Sequence, residues 1–408
     1  MADVILPFER DVPLGAARRR IDTELATRGL RWHATEYGAG PFATVIELSD
    51  EAGSPVCRGV GKGDRKSALV GGLFEAFEHF ISLHDDRSLA LTVTSASDVA
   101  RGLGAPVDAL LDAQPEARLA VRRFTDFRNG DTQSHPLALF RPTYIDRRRG
   151  EDTFDYSGLR RYAGNSGTAI GSTFTEAALH ALNECIERDD VSHFLRVHFH
   201  DADAGAPVHV IDRYTLDPVS ARLWNETEAM LAYPVTVLDI GTHRAAHSYL
   251  AFAQHAEHPV RVYGAGASGC PGHALSRALH ELVQLELIAR AEESVRQQLD
   301  RAERRLRPWP RAHRACVADL PGLLHKRRAV AVPLPARLRR TSPRVLLNQA
   351  LHHLGREDYH PLLHVIHAAC RGVVVCQVLV PGFDRYFLVA HGNPIVPGFP
   401  SARMAGHG

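Results

Sequence analysis

The chain has no excess of charge: 48 Lys plus Arg against 47 Asp plus Glu leave a formal net charge of +1 over 408 residues. Nothing in that balance argues for wholesale electrostatic binding to a nucleic acid or a membrane surface. Cysteine is scarce and scattered, at Cys57, Cys185, Cys270, Cys316, Cys370 and Cys376 with no CxxC pair. Such spacing reads as buried reduced thiols, neither a disulfide frame nor a zinc site, and makes the expected compartment cytoplasmic. Long apolar runs are missing too. The longest, Val373 to Val380, is too short to span a bilayer, and the N-terminal MADVILPFERDVPLG sets acids beside a very short apolar run. No export signal or membrane anchor is expected. A Walker A loop, a kinase signature and a GxGxxG fingerprint are all absent, so this is not a standard nucleotide fold.

What is present begins with 45% apolar residues, ample for a sizeable core in two or three ordinary domains or one large one. The most informative stretch is RYAGNSGTAIGSTFTEAALHALNECIERDD, Arg161 to Asp190. A loop rich in glycine and hydroxyls, Gly164 to Thr173, runs into a helix expected to reach about His198. Helical geometry puts Glu184 and Glu187 on one face and Glu176 nearly in line with them, roughly 16 Å along the axis from Glu187. That separation is too large for one small ion but suits an elongated ligand, its anionic groups at the loop and helix N-terminus and its cations at the downstream acids. Two bare carboxylates at about 4 Å repel by roughly 4 kcal/mol at an effective dielectric of 20, so arginine, lysine or a metal must compensate them. Arg188 follows directly.

Two further units repeat the pattern. In GVGKGDRKSALVGGLFEAFEHFISLHDD, a tight loop at Gly61, Lys62 and Gly63 is expected before a helix from Lys66 to about His84. Its Glu75 and Glu78 share a face. An isolated i,i+3 pair is ordinarily a solvated one, but Phe74, Phe77 and Phe80 argue that this helix is packed on more than one side. In VYGAGASGCPGHALSRALHELVQLELIARAEE, a glycine loop from Gly264 to Gly269 precedes a long helix with Glu281 and Gln284 one turn apart. Three such units are hard to explain as accident. A helix-walled cleft of acids with Lys62 and Arg188 nearby is what a magnesium nucleotide needs. A di-metal carboxylate oxidase, which Glu184 and nearby His180 superficially fit, would require paired Glu-x-x-His motifs on separate helices.

The remaining text gives a helix at Leu14 to Arg28, strands at Ala43 to Leu48 and Pro55 to Val60, a helix near Asp108 to Gln114 and a strand near Leu137 to Tyr144. Arg147, Arg148, Arg149, Glu151 and Asp152 read as a solvent-facing loop. Strands are expected at Val235 to Ile240, at Tyr249 to Ala253 and in VVVCQVLVPG. The basic, Pro-broken AERRLRPWPRAHR reads as a solvated loop, with a partner-binding loop as the sharper alternative. His360, His364 and His367 have one-face helix spacing and no interleaved acid or cysteine, so they are expected to be ordinary helix histidines, as are neighbouring His352 and His353, and not zinc ligands. Pro394, Pro397 and Pro400 are expected to hold the end of the chain extended.

Taken together, GKG with EAFEHF, GNSGTAIGSTFTEAALHALNECIERDD and GAGASGCPGHALSRALHELVQ resemble the YcaO family, from about Gly61 to Pro381. The resemblance implies an α/β fold of mixed sheets with long helices lining a glutamate-rich ATP and Mg2+ cleft. It divides the chain into an N-terminal structural segment (1–60), a catalytic core (61–382) and an extended tail (383–408). It implies an ATP-dependent cyclodehydratase that phosphorylates backbone amides of a ribosomally made precursor peptide and forms thiazoline or oxazoline rings, as in bacteriocin-type natural products. Thioamide or amidine formation and a non-catalytic scaffold are the alternatives; Gly71, His79 and Ala169, where the family more often has Ser, Arg and Ser, motivate the scaffold. Carried over by motif, Glu75, Glu78, Glu184, Glu187 and Glu281 would be magnesium-side acids. Lys62, Ser172, Glu176, Arg188 and Gln284 would contact nucleotide, with Glu187 and Arg188 also catalytic. The implied partners are the precursor peptide and a leader-binding protein, E1-like or carrying a RiPP recognition element. A flavin dehydrogenase and a homodimer are compatible additions.

Overall fold

The computed structural model describes residues 6–85, 91–202, 205–254, 262–336, 341–369 and 372–398. The chain opens with α1 (Leu14–Thr27), β1 (Arg31–Tyr37), β2 (Phe42–Ser49), β3 (Pro55–Gly63) and α2 (Arg65–His79). There follow β4 (Thr92–Ser95), α3 (Ala105–Asp112), β5 (Arg118–Asp126), β6 (Thr132–Pro136), β7 (Thr168–Gly171), α4 (Phe174–Leu195), β8 (Val208–Asp212), α5 (Pro218–Leu231), β9 (Val235–Asp239), β10 (His247–Ala253), β11 (Gly264–Ser268) and α6 (Pro271–Ala291). The last part holds α7 (Glu293–Leu306), α8 (Pro310–Val317), α9 (Leu320–Lys326), β12 (Ala329–Pro333), α10 (Pro343–Arg356), β13 (Leu362–Ala368) and β14 (Val374–Leu379).

Three sheets result, ordered β1-β2-β3, β11-β10-β9-β8-β12 and β4-β5-β13-β14-β7, with β6 added beside β5. Among the described residues, every pairing is antiparallel except β8 with β12. The three long helices stack on these sheets: α2 on β2 and β3, α4 on β7, β14 and β11, and α6 on β10 and β11. Of the three, α4 is the most enclosed, with buried residues on nearly every face, including Glu176, Asn183, Glu187, Asp190 and Ser192. A helix wrapped on all sides carries polar groups inward only where they have partners or a ligand. Among the described residues, no helix is long and apolar enough to cross a membrane, and Cys57, Cys185, Cys270, Cys316 and Cys376 are free thiols, the last three buried.

The three glycine stretches differ from their expected form. Gly61 to Gly63 pair with β2 as the end of β3, Gly264 to Ser268 form β11, and Thr168 to Gly171 within the central loop form β7. Their glycines serve close helix-on-strand packing. A Cβ on Gly61 would lie 1.7 Å from the Ala68 carbonyl oxygen, and one on Gly264 would lie 2.2 Å from that of Ala278. Only a residue without a side chain lets α2 and α6 approach their strands so nearly.

Other segments also depart from expectation. Leu137 to Arg147 form two 3-10 turns instead of a strand, because Pro142 interrupts the run and β6 ends at Pro136. Asp152 is 4% exposed and accepts hydrogen bonds from the Tyr144 and Tyr156 hydroxyls and the Ala120 N–H, whereas Arg147, Arg148, Arg149 and Glu151 are exposed as expected. The basic segment is helical: Pro310 is the first residue of α8, where its missing N–H costs nothing. His364 and His367 lie on β13, with His360 just ahead of it, and the strand carries a bulge between Val365 and His367. Within the segment expected as a tail, Tyr386–His391 form a 3-10 turn against α4. Pro400 and Cys370 lie outside the described residues.

Candidate functional site

One cleft of about 680 Å³ runs between α2, α4 and α6, and all ten residues singled out from the sequence line it: Lys62, Glu75, Glu78, Ser172, Glu176, Glu184, Glu187, Arg188, Glu281 and Gln284. Nine are carried by a strand end or one of the three helices, and Ser172 lies in the turn between β7 and α4. Lys62 comes from β3, Glu75 and Glu78 from α2, Glu176 to Arg188 from α4, and Glu281 and Gln284 from α6. The helix starts are fixed locally. Asp64 caps α2 by accepting the N–H groups of Lys66 and Ser67, and the Thr173 hydroxyl oxygen caps α4 by accepting the Glu176 N–H.

The carboxylates cluster at one end. Burial, Glu184 and Glu75 push Glu78 well above the usual carboxylate range. Burial likewise raises Glu75. Glu184 is pushed up to about 7 by burial, Arg188 pulling against it and Glu187 adding to it. Burial thus disfavours the charged form of all three carboxyls, and the cations within the protein offset that only in part. Glu281 differs: burial works against its charge, but Lys62 and Arg188 outweigh burial and hold its carboxyl below the ordinary range. Its Oε2 accepts a hydrogen bond from Lys62 Nζ at 2.7 Å. Glu187, 2% exposed, accepts the Ala267 N–H at 3.2 Å and lies 3.6 Å from Arg277 and 3.8 Å from Arg188.

The other end is lined by imidazoles. His180, His273 and His280 are kept neutral, foremost by burial and then by nearby Arg277 and Lys62; His273 and His280 are pushed down to about 4. Here the cleft wall includes Phe8, Arg10 and Val12, which the sequence did not offer as site residues. Glu9 is buried with a left-handed backbone (φ 55°) and accepts hydrogen bonds from Asn183 and Ser268. The Phe8 ring stacks on His273 at 5.5 Å. Glu176, 1% exposed, takes the Asp11 N–H on one oxygen (2.5 Å) and the Ser172 N–H on the other (2.8 Å). Both its oxygens are thus engaged by backbone. FERD carries no periodicity that would have pointed to this contact, 165 residues away in the chain. Arg277 was legible in hindsight: it precedes Glu281 by four residues and Gln284 by seven, one face of α6.

The donor set fits a cation-bearing polyanion. Several buried carboxylates lack full compensation, a fixed Arg and Lys stand beside them, and Gln284 Oε1, His180 Nδ1 and Arg277 Nε are buried without hydrogen-bond partners. Among the described residues, no three His, Cys, Asp or Glu side chains form a ready-made ion cage.

Comparison with known proteins bears on the fold and the family. No curated protein sequence matches the chain. Among solved structures, YcaO from Methanopyrus kandleri bound with AMPPCP and Mg2+ superposes with a TM-score of 0.68 at 16% identity, covering 98% of this chain and 99% of that one. A heterocyclase in complex with substrate and cofactor gives 0.63 at 15% identity, covering 94% of this chain and 55% of its own. The E. coli microcin synthetase McbBCD complex gives 0.59 at 14% identity over 87% and 88%. At these identities the likeness establishes the mixed α/β fold. The family profile described as "YcaO cyclodehydratase, ATP- and Mg2+-binding" matches residues 60–384, most of the chain, and the protein therefore belongs to the YcaO family, whose cofactors are ATP and Mg2+.

Proposed function

We propose that this protein is an ATP-dependent cyclodehydratase that activates backbone amides of a ribosomally made precursor peptide and forms thiazoline or oxazoline rings. The observation that carries the reading is the convergence of the ten motif residues on one cleft whose carboxylates are under-compensated. Glu75, Glu78, Glu184 and Glu187 are the acids that would hold magnesium. Glu281, already matched to Lys62, is the weakest of the five candidates. With no preformed ion cage, one or two of these acids would share the cation with ligand phosphates, as magnesium commonly requires. Bound Mg-ATP supplies the phosphoryl group that activates the amide oxygen.

The chain's own part is electrostatic and positional. Arg188 and Lys62 present cationic donors to phosphate oxygens, and Gln284 has an unpartnered buried amide oxygen for a donor on the ligand. Ser172 and Glu176 form the wall where α4 begins; with its oxygens held by backbone N–H groups, Glu176 acts there by shaping the wall. Structural neighbours described as a heterocyclase with substrate and as a microcin synthetase complex with its pro-peptide support a peptide substrate and a partner subunit that brings it.

The test is mass spectrometry of a candidate precursor incubated with the protein, its partner, ATP and magnesium. A loss of roughly 18 Da per modified residue with phosphate release is expected for cyclodehydration. A gain of roughly 16 Da would replace this reading with thioamide formation, and no mass change without ATP use would replace it with a scaffold.

A further inference from the structure

Arg188 is held without being hydrogen-bonded by its charged neighbours. Glu184 and Glu187 stand 3.9 Å and 3.8 Å away, beyond hydrogen-bond range. Its guanidinium instead lies over the ring of Phe387, 5.4 Å from the centroid. Phe387 is 6% exposed and sits on the 3-10 turn Tyr386–His391. That turn is fixed from α4 itself. The Phe387 N–H donates to Ser192 Oγ at 2.8 Å, and the Ser192 hydroxyl donates to the Arg188 carbonyl oxygen at 2.6 Å. The Asp384 N–H donates to Asp189 Oδ1 at 2.5 Å, and Asp189 Oδ2 meets His243 Nε2 at 2.8 Å. His243 Nδ1 in turn meets Glu357 Oε2 at 3.0 Å.

A ring face can do what a carboxylate clamp cannot. A bidentate carboxylate consumes the N–H donors of an arginine, which must be freed again before they reach a ligand. An aromatic face attracts the cation through its quadrupole and leaves the N–H groups, in the guanidinium plane, available. The residue that follows Arg188 in sequence, Asp189, anchors the segment bearing the ring, so arginine and ring are referenced to the same helix turn.

We propose that Phe387 is a positioning residue that pre-orders Arg188 for the anionic end of the cleft ligand, anchored by the Asp189–His243–Glu357 cluster. This role rests on the nucleotide reading of the cleft.

The test is calorimetric binding of the non-hydrolysable analogue AMPPCP with magnesium, using the full chain. Phe387→Leu, which keeps apolar volume but removes the ring, is expected to weaken binding roughly three- to thirtyfold, the range of a partly desolvated cation–π contact. Phe387→Tyr restores near-normal binding. In an Arg188→Ala background the leucine substitution is expected to cause no further loss. Phe387→Met carries the same comparison if the leucine variant does not fold. Equal losses with and without Arg188 would make Phe387 merely structural and overturn the proposal, as would unchanged binding by Phe387→Leu while the parent protein binds. Failure of the parent protein itself to bind AMPPCP removes the nucleotide reading, and this role with it.

Discussion

Two groups of charged side chains sit back to back on α4 and are built in opposite ways. On the cleft side, Glu184 and Glu187 approach Arg188 only to 3.8–3.9 Å, and Glu184 is pushed up to about 7. On the far side, Asp189 is tied by short contacts, to His243 at 2.8 Å and to the Asp384 N–H at 2.5 Å. Burial opposes charge on His243, but its bonds to Asp189 and Glu357 overcome that and push it up to about 10. Two residues along one helix therefore separate an ion cluster completed within the fold from one left incomplete. A completed cluster fixes structure, whereas an incomplete one keeps charge and donors in reserve for a ligand.

The comparison is broken most severely at Glu187. Glu187→Gln preserves shape but removes a cleft charge, and ATP-dependent peptide modification is expected to fall by at least about a thousandfold with an unchanged melting curve. Unchanged turnover in a modification assay would remove the cation role.

On the far side, the expected effect is on stability. His243→Gln removes the cation between half-buried Asp189 and Glu357 and is expected to cost about 1.5–3 kcal/mol in denaturant unfolding, the value of hydrogen bonds to charged groups. Because folding raises the His243 pKa from an ordinary 6.5 to about 10, its contribution is full below pH ~6.5 and is lost as pH rises towards 10. The stability gap between parent and variant should therefore narrow over that window; a gap that widens would refute the charged assignment.

Returning to the cleft, Arg188→Ala is expected to weaken nucleotide binding roughly ten- to hundredfold, the value of a charge-assisted hydrogen bond or two. Equal affinity with a lower melting temperature would make Arg188 a structural counter-ion. The smallest effect lies at the start of the shared helix. Thr173→Ala removes the α4 cap and is expected to cost about 1 kcal/mol in unfolding measurements, with little change in nucleotide affinity.

The cleft-side residues were readable because helix periodicity links them in pairs: Glu75 with Glu78, Glu184 with Glu187, Glu281 with Gln284. The glycine stretches were located but misread as loops, since the sequence reveals that a side chain is missing and not what presses into the space. The histidines of β13 show a related limit, since a spacing of four and three residues fits a helix face but does not exclude a bulged strand. Asp152 was hidden by its neighbours, because a charged run says nothing of the one carboxylate that two tyrosine hydroxyls draw inward.

By itself, then, the sequence determined the three helices, the acids they carry and the arginine beside them, because those depend on contacts within a few residues along one helix. The tertiary structure alone decided that Phe8 and Arg10 join the cleft, that Glu176 is bound by the Asp11 N–H, and that Phe387 lies over Arg188. The contacts involved, Phe8 with His273, Asp11 with Glu176 and Arg188 with Phe387, join residues 165 to 265 positions apart in the chain, a distance over which no local period survives; only the packing of the sheets against α4 and α6 brings them together.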